Sequence, residues 1–67
     1  MKKTKHHRKP RVLGGNGDKK NISIIPDHLH KAYHLLFGEG NPHRIAFLLN
    51  EYYIDPDYIV VVERRGE

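Results

Sequence analysis

The chain has 67 residues, 37% hydrophobic and 30% charged, with a formal net charge of +4 and neither cysteine nor tryptophan. That length holds one domain, which buries only about 60% of the surface its unfolded chain exposes, so a thin core and some added staple are expected. Disulfides and thiolate zinc sites are excluded, which leaves histidine and carboxylate as metal ligands.

In chain order, residues 1–5 read as a basic arm, a few of whose residues could add a short strand leading into His6. Gly14-Gly15-Asn16-Gly17-Asp18 reads as a loop, because glycine and asparagine tolerate the positive φ of tight turns. No Gly-Lys-Ser/Thr follows it, so it is not a phosphate-cradling loop. Asn21-Ile22-Ser23-Ile24-Ile25 alternates and is β-branched, which predicts a strand ending at Pro26. Pro26-Asp27 opens a predicted helix that stops at Gly38, with Leu29, Tyr33 and Leu36 on one face. Asn41 and Pro42 open a second helix, expected to reach about Tyr53. Asp55-Pro56-Asp57 breaks the chain, and Tyr58–Glu63 reads as a closing strand, whose end at Arg64-Arg65 discourages pairing with other chains. Tyr33, Phe37, Tyr52, Tyr53 and Tyr58 are read as packing residues in preference to base-stacking platforms.

Charge is uneven along this order. Residues 1–20 carry eight basic side chains and one acid, a net of +7, against four basic and seven acidic ones, a net of −3, in residues 21–67. The basic end attracts polyanions, nucleic acid foremost, and its plain alternative is a solvated tail. No apolar run approaches the ~20 residues of a membrane span, and no apolar signal core follows Met1-Lys2-Lys3, so a cytoplasmic protein with no membrane partner is expected.

Six histidines are present. His30 and His34 lie four apart on the first predicted helix, one turn from each other on one face, a spacing that suits a single metal ion and also arises between plain surface residues. His6-His7 forms a second cluster, which taken alone reads as part of a solvated basic segment. His28 and His43 are expected to be solvated or structural.

The run His6-His7-Arg8-Lys9-Pro10-Arg11, then Gly14-Gly15, then Asn21, then His30 and His34, resembles the HNH endonuclease family in the His-rich version of colicin-type DNases. The resemblance covers about residues 5–37. It implies an α+β fold, a small ββα-metal unit over 6–37, followed over 41–64 by the second helix and a C-terminal strand. It also implies roles: His6, His30 and His34 as metal ligands, His7 as general base, and Asn21 as the residue whose amide ties down the loop. Only five residues precede His6, so the first strand is expected to be very short, or else Tyr58–Glu63 supplies its partner.

The residue types suit that chemistry. Three neutral imidazoles leave open coordination positions and favour one divalent ion such as zinc or nickel over magnesium. Imidazole is suited to taking a proton from water near neutrality. Arg8, Lys9 and Arg11 are the expected nucleic-acid contacts, guanidinium matching phosphate oxygens bidentately. The expected function is metal-dependent DNA hydrolysis with low sequence specificity, by a monomer or weak dimer. The alternatives are a non-catalytic nucleic-acid-binding module with a structural metal, and a small α/β interaction protein whose histidines are incidental.

Overall fold

The computed structural model describes residues 2–66. Strand β1 (Lys3–His7) pairs antiparallel with β2 (Ile22–Pro26) in a register that runs from Lys3 opposite Pro26 to His7 opposite Ile22. Helix α1 (Asp27–Phe37) follows β2 directly, α2 spans Pro42–Leu48, and a π-helical stretch continues it over Leu49–Tyr53. The chain is a small α+β fold, a ββα unit carrying a second helix.

Local chemistry explains each junction. Ile22, Ile24 and Ile25 favour the extended backbone of β2, and Pro26, which has no N–H to donate, ends the ladder with φ −55° as the cap of α1. The Asp27 N–H donates to the Lys2 carbonyl at 2.8 Å, pinning the first turn of α1 beside the sheet, and the Asp27 carboxylate pairs with Lys31 one turn on at 3.0 Å. Gly38 ends α1 at φ +60°, its N–H donating to the His34 carbonyl. Asn41 caps α2 by accepting from the Arg44 N–H at 2.9 Å, with Pro42 at the first helical position.

The loop over residues 8–21 is held by one side chain. Asn21 Oδ1 accepts from the Lys9 N–H at 2.6 Å, and Nδ2 donates to the Lys9 carbonyl at 3.0 Å and to the Asn16 carbonyl at 2.7 Å. Gly14 takes φ +94°, and the Gly15 backbone presses so closely on the Lys9 carbonyl that a Cβ there would collide with it. The glycine pair is therefore needed for two separate reasons, a left-handed backbone and a close approach.

Little of the chain is inside. Among the described residues Ala46, Pro10 and His6 are buried, and no side chain is fully enclosed. Two expectations are decided here. Of the two readings of residues 1–5, basic arm or short strand leading into His6, residues 3–5 take the strand, which gives β2 its partner from within the first segment. Tyr58–Glu63 is not a strand: it carries no ladder, and Tyr58, Ile59 and Val61 are each more than 70% exposed. The Asn50 carboxamide instead takes both peptide groups of Val60, accepting at 2.7 Å and donating at 2.8 Å, as a neighbouring strand would. With that segment outside the sheet, Tyr52, Tyr53 and Tyr58 stay exposed, against their expected packing role, whereas Tyr33 and Phe37 are half-buried and in ring contact.

Gly15→Ala is expected to lower the unfolding free energy by about 1–3 kcal/mol through overpacking against Lys9. Gly17→Ala, where a Cβ meets nothing within 4 Å, is expected to change it little. Urea unfolding of the two variants beside the parent checks the contrast.

Candidate metal centre

Side chains alternate along a strand, so Thr4 and His6 share one face of β1, and that face turns toward α1. His30 and His34, one turn apart on α1, meet it. One ring nitrogen from each of His6, His30 and His34 lies within 4.8 Å of the other two, a cluster that could hold a metal ion. The Nε2 atoms of His30 and His34 are 3.0 Å apart. Two nitrogens on one tetrahedral ion at ~2.05 Å are separated by about 3.4 Å, so the helical pair is already near ligand spacing, with the third nitrogen within 4.8 Å.

The hydrogen bonds around the cluster favour that use. His34 Nδ1 lies 3.2 Å from the Gly38 carbonyl, which can only accept, so Nδ1 donates and Nε2 keeps its lone pair. His30 Nδ1 is bonded to the Thr4 hydroxyl at 2.7 Å, a group able to donate or accept, so it can follow either tautomer of the ring. His6 Nδ1 is buried and has no hydrogen-bond partner, a desolvated polar atom that a metal ion near the cluster could compensate. Desolvation, followed by the neighbouring His30, His34, His7 and Arg8, lowers the His6 pKa below its ordinary value, which keeps the ring in the neutral form that ligates metals. Tyr33 walls the cluster from the helix side, its ring edge-on to His6 at 4.6 Å between centroids.

Beside the cluster is an open cleft of about 260 Å³ lined by His7, His30, His34, Lys5, Arg11 and Glu39, with Pro10 at its edge. His7, half-buried at the end of β1, thus shares a cleft with the two helical imidazoles. Asn21 acts from outside the cleft, clamping the backbone two residues beyond His7. Of the three expected nucleic-acid contacts only Arg11 lines this cleft; Arg8 and Lys9 line other grooves. His28 and His43 are exposed and outside the cluster.

Thr4, Lys5 and Glu39 at this site were not anticipated from sequence. Strand alternation from His6 points to Thr4 once β1 is known to be a strand. Lys5 was hidden in a run of similar basic residues, and for Glu39, just past the helix stop, no sequence signal exists. No protein-family model, curated protein or solved structure matches the chain.

Thr4→Val keeps the shape of β1 and removes the hydroxyl from His30. It is expected to weaken zinc affinity about 10–100-fold, the usual cost of losing an outer partner of a metal-binding imidazole. Thr4→Ser is expected to restore most of it, both read by competition with a chromogenic chelator.

Proposed function

We propose that the protein is a metal-dependent endonuclease of the HNH type that hydrolyses DNA phosphodiester bonds with little sequence preference. One observation carries this reading: a single cleft is lined by His7, by two members of the histidine cluster, and by the cations Lys5 and Arg11. A general base, a candidate metal site and phosphate-binding charge are the parts that phosphodiester hydrolysis needs together.

His6, His30 and His34 would hold the ion, and an all-imidazole set suits zinc or nickel better than magnesium. When bound, the ion supplies Lewis-acid stabilisation of charge on the reacting phosphate and the departing 3′ oxygen. The remaining work falls to the chain's own side chains. An imidazole nitrogen of His7 takes the proton of a water that attacks phosphorus, the bond to the 3′ oxygen breaks, and that oxygen is protonated from solvent. Lys5 and Arg11 hold the non-bridging oxygens, contacts that carry no base information and so fit low sequence preference. Asn21 is a positioning residue, since its carboxamide fixes the loop that leaves His7.

A second reading, a non-catalytic nucleic-acid-binding module with a structural metal, is favoured by the near-absence of an apolar core. In such a chain, metal binding between β1 and α1 appears as folding free energy. Turnover separates the two. Supercoiled plasmid incubated with the purified protein and a divalent ion is expected to be nicked. His7→Ala is expected to slow nicking about 10²–10⁴-fold, the usual contribution of a general base, with unchanged metal binding. Nicking by His7→Ala at the parent rate would remove His7 from the mechanism, and plasmid binding without nicking under zinc, nickel and magnesium would favour the structural reading.

A further inference from the structure

The cations that the metal cleft leaves out are gathered elsewhere. Arg8, Lys9 and Lys20 line an open groove of about 580 Å³ together with Arg65, from the other end of the chain, and no carboxylate lines it. A neighbouring cavity of about 570 Å³ has an apolar floor that includes Leu13 and Ile45, with Arg8, Lys9 and Arg64 on its walls. Arg64 and Arg65 therefore line two hollows that share Arg8 and Lys9, the ridge between them. Pro10 lines both the second hollow and the metal cleft, so the three depressions adjoin one another.

The ridge is rigid where it matters. Both peptide groups of Lys9 are held by Asn21, the Arg8 N–H donates to the Asn21 carbonyl at 2.7 Å, and the Arg8 guanidinium donates to the Lys20 carbonyl at 3.3 Å. The returning segment is fixed at Val60 by Asn50. Four cations line the groove and Arg64 adds a fifth in the neighbouring cavity, with no carboxylate lining either, an arrangement whose mutual repulsion is relieved by a polyanion.

We propose that Arg64 and Arg65 fold back beside Arg8, Lys9 and Lys20 to form a metal-independent tract that grips the phosphate backbone of DNA away from the scissile bond. This rests on the nuclease reading for the identity of the polyanion, but it acts without the metal and without turnover. It gives the C-terminal arginines a defined place in a binding surface, beside their expected part as guards against strand pairing. The tract also lengthens the footprint of a 67-residue chain on a duplex, extending it over Pro10 from the cleft.

The test is binding of a fluorescein-labelled 20-base-pair duplex to the full chain in EDTA, by anisotropy, over a series of salt concentrations. Neutralising the pair (Arg64→Gln with Arg65→Gln), or Lys20→Gln alone, is expected to weaken binding. The slope of log affinity against log salt should flatten by about 0.9 for each phosphate that the variant no longer neutralises. Lys31→Gln, whose side chain pairs with Asp27 on α1 outside these hollows, is expected to leave the slope near the parent's. Equal slopes for the parent and the groove variants would overturn the proposal, as would a parent that does not bind duplex in EDTA. Plasmid nicking by the same proteins, freed of EDTA and supplied with zinc, nickel or magnesium, keeps the two readings apart. A parent that binds through these residues but never nicks upholds the tract and refutes the nuclease. One that nicks while the groove variants bind unchanged does the reverse.

Discussion

The constraint on which the rest depends is the burial of His6 between β1 and α1. A neutral imidazole sealed on one side with an unpaired nitrogen costs free energy, on the order of 1–3 kcal/mol for an unmet polar group. A large protein absorbs such a cost in its core, but here Ala46 and Pro10 are the buried apolar residues among those described. A metal ion shared with His30 and His34, which the cluster could hold, would turn that cost into a cross-link between sheet and helix. On the proposed nuclease reading the same atoms would serve as staple and as reaction centre.

The surrounding architecture follows from delivering three segments to one point. The strand pair sets His6 facing α1, and the Asp27 N–H bonded to Lys2 fixes where α1 begins relative to β1. Asn21 and the Gly14-Gly15 turn fold the intervening loop so that Arg11 comes to the cleft while Arg8 and Lys9 face away. Two asparagines thus do similar work: Asn21 on Lys9 and Asn50 on Val60 each substitute a carboxamide for a strand neighbour, which is how a chain with two strands fixes long irregular segments.

Much of this was legible in the sequence because it is local. The β-branched run before Pro26, the helix between Asp27 and Gly38, and the Asn41-Pro42 start of α2 are set by neighbours in the chain. The histidine cluster was legible through the four-residue spacing of His30 and His34 and the resemblance that joined them to His6. Tyr58–Glu63 misled because strand propensity reflects fit to a half-buried pleated surface, and no sheet edge takes up this segment. Glu39 was invisible for another reason: its place at the cleft comes from what lies opposite in space, which neither residue type nor spacing encodes, whereas Thr4 follows by alternation from His6 only once β1 is known to be a strand. The split of Arg11 from Arg8 and Lys9 likewise depends on the turn after Pro10 and not on the charge run.

The most direct test of the account is a zinc titration of the ¹⁵N-labelled protein, following imidazole nitrogens by two-bond proton–nitrogen correlation spectra. The account predicts that His6, His30 and His34 shift together and saturate at one zinc per chain, while His28 and His43 stay in place. Saturation involving His30 and His34 with His6 unmoved would contradict it, because the ion would then sit on the helix alone and fasten nothing to the sheet.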